Sequence, residues 1–379
     1  VDLSFTAAEE AFAAEAREWL AANVEQPPRF DSAEDEVAWG QAWQARLAAD
    51  RWVGIHWPVE HGGRGASPVE VALFNTEYAR ARAPQPVNRV GINLAGPTLL
   101  AHGTDDQRAR WLPRILDASE LWCQLFSEPD AGSDLASLRT TAEPVDGGWL
   151  LSGQKVWTSY ARVARWGICL ARTDPDAAKP QGGISYLVVD MQAEGIDVRP
   201  LTQITGESEF NEVFLDSVFV PADNLVGSLH DGWRVANTTL AHERGTAFPF
   251  KEQVVHEQYL DELWSDAARG SKLADVEISD ALARSFVELR LLRLHNWRTL
   301  TRLGRGDEPG AESSIVKLAW TDMTQRLSAT ALDIAGASAP IAGTWQRQWL
   351  WSKAASIAGG TSEVQRTILA ERLLGLPRG

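Results

Sequence analysis

The chain has 379 residues, enough for two or three domains of ~150 residues, and its 44% hydrophobic and 23% charged content is that of a folded protein, not a disordered one. Thirty-six Lys and Arg against 51 Asp and Glu leave a net charge of −15, which repels nucleic-acid phosphates and anionic lipid and argues against either as a partner. The two cysteines, Cys123 and Cys169, are too few for a disulfide framework or a thiolate zinc site, and no apolar run approaches the ~18 residues of a membrane span, so a cytoplasmic protein is expected.

From the amino terminus, residues 7–23 are rich in Ala, Glu and Arg, and Phe12, Trp19 and Leu20 take the i, i+7, i+8 spacing of one face of an amphipathic helix. Helical composition resumes over Val37–Leu47 and Val69–Ala83, on either side of Glu60-His61-Gly62-Gly63-Arg64-Gly65, a turn that no regular helix accommodates. Residues 1–118 thus read as a helical domain. Residues 119–228 read as a β domain. Asp146-Gly147-Gly148 turns into a strand at Trp149-Leu150-Leu151, and Ile184–Val189 is β-branched and aromatic. Val213–Leu215 and Val218–Val220 have the look of two strands around a tight turn at Asp216-Ser217, stopped by Pro221. Residues 229–379 return to helix. Ile278, Leu282, Phe286, Leu289 and Leu292 predict one long buried stripe, and Gly304–Gly310 breaks one helix from the next. The fold class is α+β and multidomain, and the 17 Trp are read as core and subunit contacts.

Most motifs of known chemistry are missing. No G-x-G-x-x-G follows a strand, no phosphate-binding G-x-x-x-x-G-K-[ST] occurs, and His242-Glu243 lacks the second His of a zinc helix, so no metal site is expected. Gly336-Ala337-Ser338-Ala339-Pro340 has Pro where a nucleophile elbow requires Gly. Two stretches are left over from packing. Phe126-Ser127-Glu128-Pro129-Asp130-Ala131-Gly132-Ser133-Asp134 is a loop of hydroxyl, acidic and small residues able to present several donors to one polar ligand. Ile357-Ala358-Gly359-Gly360-Thr361-Ser362-Glu363 pairs glycines with Thr361, a candidate N-cap whose helix start would also receive an anion.

Taken together, the chain resembles the acyl-CoA dehydrogenases along nearly its whole length. Residues 125–134 are similar to the family's T-E-P-x-A-G-S-D loop, and Gln154-Lys155-Val156-Trp157-Thr158-Ser159 to its x-K-x-W-[IT]-[TS] strand. The resemblance implies a helical N-terminal domain, a middle β-barrel-like domain and a C-terminal four-helix bundle, with FAD as cofactor. It places the Phe126 backbone and Ser127 hydroxyl at the polar edge of the flavin, Ser133 near the pyrophosphate and the substrate, and Trp157 over the flavin face with Ser159 near N5. Gln124, Gly132 and Thr158 come with the same two stretches, and Gly336, Thr361 and Glu363 with the C-terminal part of the cofactor site. Donors at that edge are wanted because hydride arriving at N5 leaves negative charge over N1 and O2.

The reaction also needs a base for the α proton of the acyl-CoA. Many members carry it in an E-G-T sequence before the last helix, where this chain has Gly359. A minority place it before an Arg on the first long helix of the C-terminal domain. Here that position is Glu243, followed by Arg244, which the resemblance makes a shaper of the substrate pocket. An electron-transfer flavoprotein is the acceptor implied. The family's R-x-x-F-G is absent between Phe248 and Ser271, and its L-G-G-x-G turn is only partly matched by Ile334–Ser338. Those segments serve a neighbouring subunit's flavin, so the chain is expected either as a homo-oligomer, dimer or tetramer, or as a heterotetramer with a paralogous chain. Two alternatives to a complete acyl-CoA dehydrogenase stand beside it: a non-catalytic or half-site subunit of a heteromeric enzyme, and an acyl-carrier-protein thioester dehydrogenase, which the acidic net charge disfavours.

Overall fold

The computed structural model describes residues 4–243, 247–305, 310–339, 341 and 343–377, with the backbone alone for Glu243 and 247–249. Helix starts follow their capping residues. Thr6 and Glu9 form a capping box at α1 (Ala7–Asn23), Ser32 caps α2 (Ala33–Ala49), and Ser67 and Glu70 box α3 (Pro68–Arg80), whose Pro sits where no intrahelical N–H is needed. A π-helical turn, Gly91–Ala95, leads into α4 (Gly96–His102), and Thr104 and Gln107 box α5 (Asp105–Leu116).

Seven strands follow: β1 (Trp122–Leu125), β2 (Thr141–Val145), β3 (Gly148–Lys155), β4 (Trp166–Arg172), β5 (Ile184–Asp190), β6 (Ile196–Pro200) and β7 (Asn211–Pro221). They form one sheet in the order β1-β4-β2-β3-β7-β6, with β5 antiparallel to β4. The sheet curls around a single apolar interior to which Leu125, Leu151, Cys169, Leu187 and Leu215 all contribute. The β2–β3 hairpin turns at Asp146-Gly147, where Gly147 takes the left-handed φ of +78° that a two-residue turn requires. The expected second hairpin at Asp216-Ser217 is not one. β7 runs unbroken through both residues because β3 pairs with it on either side, and Ser217, at φ +53°, is a bulge matched by the register shift between Leu151 and Gly153.

The remaining helices are α6 (Gly232–Glu243), α7 (Ala247–Arg269), α8 (Val276–Leu303), α9 (Ser313–Ala335), α10 (Thr344–Ser352) and α11 (Ser362–Ile368). Contacts divide the chain into two compact units. One holds α1, α3 and α7–α11. The other holds α2, α4, α5, the whole sheet and α6. In the first unit, Leu260 and Leu263 of α7, Leu282, Leu289 and Leu292 of α8, and Trp320, Met323 and Leu327 of α9 share one bundle core. Phe286 departs from the expected stripe. It is 45% exposed, while Ser285 is buried, because positions 282, 285, 289 and 292 keep the 3.6-residue period better than 286 does.

Candidate functional site

The loop after β1 is built around one carboxylate. Glu128 and Ala131 exchange both backbone hydrogen bonds, at 3.1 Å each, closing a tight turn over Pro129-Asp130. The buried Glu128 side chain then accepts the amides of Arg139 at 2.6 Å and Thr140 at 2.9 Å, drawing the far end of the loop back to its start. Its remaining partner is Lys155 Nζ at 2.8 Å. Burial raises the Glu128 carboxyl, but the Lys155 charge and the hydrogen bonds from Lys155, Thr140 and the Arg139 amide outweigh burial and hold it below the usual carboxylate range. Gln124 and Ser127 are half-buried and Phe126 is buried, whereas Gly132 and Ser133 are exposed, with open space where a Cβ on Gly132 would stand.

The second stretch leaves the end of β3. Val156 N–H donates to Ser127 O at 2.9 Å, so the two stretches lie side by side. Thr158 exchanges backbone hydrogen bonds with Asn211 at 3.0 and 3.1 Å, and the Asn211 amide adds a third to Thr158 O at 2.9 Å. Tyr160 N–H donates to Glu209 O at 3.2 Å, and Arg89 joins the Tyr160 hydroxyl to Glu209. Held this way, Trp157 and Tyr160 both adopt left-handed backbone, at φ +61°. For bulky residues that conformation costs of order 1–3 kcal/mol and persists only where the surroundings impose it. Trp157 is thereby turned outward, 61% exposed, with its ring perpendicular to that of Phe210 at 6.0 Å. The Thr158 hydroxyl beside it is buried and has no hydrogen-bond partner among the described residues. Ser159 is half-buried. An outward indole next to an orphaned buried hydroxyl and an open polar loop suits a flat heteroaromatic group with a polar edge.

A chain of contacts runs from this loop to α6. The Phe126 ring meets Tyr186 edge-on at 5.9 Å, Tyr186 OH lies 3.2 Å from Thr239 Oγ1 on α6, and Thr239 is 2.8 Å from Thr98 Oγ1 on α4. Burial pushes the Tyr186 phenol up, so it stays neutral. Glu243 closes α6 one turn beyond Thr239. Arg244 lies outside the described residues.

In the other unit, Thr361 caps α11 by accepting Val364 N–H at 3.2 Å. The preceding Gly359 and Gly360 are both left-handed, at φ +64° and +93°; Gln365 donates to the Gly359 carbonyl at 3.1 Å and Lys317 to the Gly360 carbonyl at 2.8 Å. Glu363 is exposed beside Arg366, and Gly336 ends α9 at φ +58° with its surroundings open. Three sets of residues that hold the site together were not singled out from sequence: the Glu128–Lys155 pair, the Asn211 clamp and the Arg89–Tyr160–Glu209 strap. Lys155 follows Ser152, Gly153 and Gln154 at the end of β3, so nothing in its neighbours marks it as buried. Among the described residues no cluster suited to a metal ion occurs, and no helix is long and apolar enough to cross a membrane.

Three family profiles match in succession: acyl-CoA dehydrogenase N-terminal domain over residues 6–119, middle domain over 123–218 and C-terminal domain over 230–374. Acyl-CoA dehydrogenase IpdE1 of Mycobacterium tuberculosis is 42% identical, covering 97% of this chain and 98% of the relative. The solved structure of the Tcur3481-Tcur3483 steroid ACAD is 28% identical, with a TM-score of 0.85 and complete coverage of both chains. The ChsE4-ChsE5 complex from Mycobacterium tuberculosis is 29% identical, also fully covered, at a TM-score of 0.83. Helical N- and C-terminal parts and a curled-sheet middle domain, with this pair of loops, define a flavin-dependent oxidoreductase. The chain belongs to the acyl-CoA dehydrogenase family, with FAD as its cofactor and acyl-CoA dehydrogenation as its class of reaction.

Proposed function

We propose that the chain is the base-bearing subunit of an acyl-CoA dehydrogenase that converts an acyl-CoA to its trans-2-enoyl-CoA, with Glu243 taking the α proton. FAD, when bound, supplies the acceptor for the β hydrogen as hydride. The observation that carries the reading is the run Phe126–Tyr186–Thr239, which couples the loop of the flavin motif to the helix turn that ends in Glu243. Gly359, by contrast, offers no side chain at all. Under this reading the Ser127 hydroxyl and the Phe126 and Ser127 amides donate to the polar edge of the flavin, and Gln124, Gly132, Ser133, Thr158 and Ser159 complete that side. Trp157 shields its face from water. Arg244 shapes the pocket next to the base. Gly336, Thr361 and Glu363 are assigned to the cofactor by resemblance alone. An electron-transfer flavoprotein is the proposed oxidant, and the cytoplasm the proposed compartment. The substrate class proposed is a bulky, ring-bearing acyl-CoA, supported by the word steroid in the name of a structural neighbour.

Glu243→Gln keeps the shape and removes the base. A positioned general base is worth ~10²–10⁴-fold. The variant should bind FAD as wild type does and lose at least 100-fold in the rate of flavin bleaching when mixed anaerobically with a panel of straight, branched and polycyclic acyl-CoAs. Undiminished bleaching would take Glu243 out of the mechanism.

A second reading, the half-site subunit, is favoured by one specific observation: the absent R-x-x-F-G, together with structural neighbours described as two unlike chains. It differs in predicting no bleaching by wild type with any thioester unless a second chain is present.

A further inference from the structure

Lys155, the last residue of β3, has no solvent exposure, which is rare for a lysine. All three ammonium donors are used: on Glu128 Oε1 at 2.8 Å, Leu170 O at 2.8 Å and Phe126 O at 3.2 Å. One side chain therefore ties the last turn of β3 to β4 and to both sides of Ser127. Phe126 is held through its carbonyl and Glu128 through its carboxylate. Ser127 itself is held by its own carbonyl, which accepts Val156 N–H at 2.9 Å. Two residues beyond Lys155 the chain enters the left-handed turn at Trp157. The same carboxylate gathers the Arg139 and Thr140 amides, so the whole loop from 126 to 140 closes on this pair.

Stability does not account for such an arrangement. Desolvating two ions offsets most of their attraction, and replacing a buried pair by apolar residues of similar volume is often neutral or stabilising. What an apolar pair cannot do is fix the direction of four backbone groups at once, the Phe126 and Leu170 carbonyls and the Arg139 and Thr140 amides. We infer that Lys155, acting through Glu128, is a positioning residue that presets the donors of the flavin-binding loop before any cofactor arrives. The inference rests on the flavin assignment above. It makes the pair part of the electrostatic preorganisation of the site, since donors already aimed at the developing charge need no reorganisation during reaction.

The test is amide hydrogen exchange on the full-length chain freed of FAD, followed by FAD titration. In wild type without cofactor, the Arg139, Thr140 and Val156 amides should exchange at least tenfold more slowly than exposed loop amides such as those of residues 132–134. In Lys155→Met/Glu128→Leu, which leaves no buried charge unpaired, protection within β4 and β5 should persist. The three amides should speed up at least tenfold, and FAD should bind at least tenfold more weakly, with a changed visible circular dichroism of whatever flavin is bound. Wild-type amides that exchange at loop rates until FAD is added would overturn the inference without recourse to any variant. So would a folded double variant that binds FAD as wild type does. A wild-type chain with slow amides that takes up no FAD, alone or with a partner chain, would count against the flavin assignment and leave the preset loop standing.

Discussion

Trp157 shows most directly what a single position does. Its left-handed backbone at φ +61° and its 61% exposure are each unfavourable for an indole, and nothing in the fold of the sheet needs that ring outside. Trp157→Gly relieves the backbone strain and deletes the ring, losing the perpendicular ring contact to Phe210, worth about 0.5–1.5 kcal/mol. The cofactor-free variant should therefore unfold within about 1 kcal/mol of wild type, since relieved strain and lost contact offset each other. Its thermal midpoint should rise much less on addition of FAD, because a ligand stabilises only in proportion to its affinity for the folded state. An undiminished FAD-induced rise in Trp157→Gly would show that the indole does not cover the flavin. The motif around Trp157 is legible in sequence, since residue types and spacing carry it. Its conformation is not, because the left-handed turn is imposed by Asn211 and Glu209, fifty residues away in the chain.

At the scale of elements, α1 and α3 are joined by a carboxylate. Glu77 of α3 is 4% exposed and accepts Arg17 of α1 through two hydrogen bonds of 2.9 and 3.0 Å, with Arg80 adding a third at 2.7 Å. Burial raises the Glu77 carboxyl, but the two guanidiniums outweigh it and the net shift is downward. A depressed carboxylate contributes stability above its unfolded-state pKa, ~4.3, and loses it as pH falls through the lower folded value. Glu77→Gln should cost about 1–2 kcal/mol in urea unfolding at pH 7, less than a fully buried pair because both guanidiniums are more than half exposed. The gap to wild type should close as the pH is lowered below the usual carboxylate range. A gap that is the same at pH 7 and at pH 3 would mean that lost packing, not charge, is responsible. The start of α11 at Thr361 was readable because capping is local chemistry. The continuity of β7 was not. Asp216-Ser217 between two apolar runs looks the same in a hairpin and in a bulged strand, and only the partner β3, with its matching register shift, decides between them. Phe286 belongs with β7, since neighbouring positions on α8 satisfy an apolar spacing almost equally and packing selects Ser285.

For the whole molecule, the three-part order of the family profiles and the two units defined by contacts are different divisions of one chain, because α1 and α3 pack with the C-terminal helices while α6 packs with the sheet. Every residue assigned to the polar edge of the flavin, along with Glu243, lies in the second unit. What the sequence lacks is the arginine and aromatic of R-x-x-F-G and a full L-G-G-x-G turn, the segments that in the family reach a neighbouring subunit's cofactor. A guanidinium hydrogen-bonded to a phosphate contributes about 1.5–3 kcal/mol, so losing one weakens FAD roughly 10- to 100-fold. The chain purified alone should therefore carry fewer than one FAD per chain, and bind added FAD weakly. Co-produced with a second acyl-CoA dehydrogenase chain that retains R-x-x-F-G, it should elute as a mixed oligomer, with FAD retained through gel filtration and bleached by acyl-CoA only while Glu243 is intact. Flavin absorbance against protein concentration, with mass photometry for the assembly, reads both quantities. One tightly held FAD per chain in a homo-oligomer would show that another part of this sequence replaces the missing arginine, and would remove the case for an unlike partner while leaving Glu243 as the base.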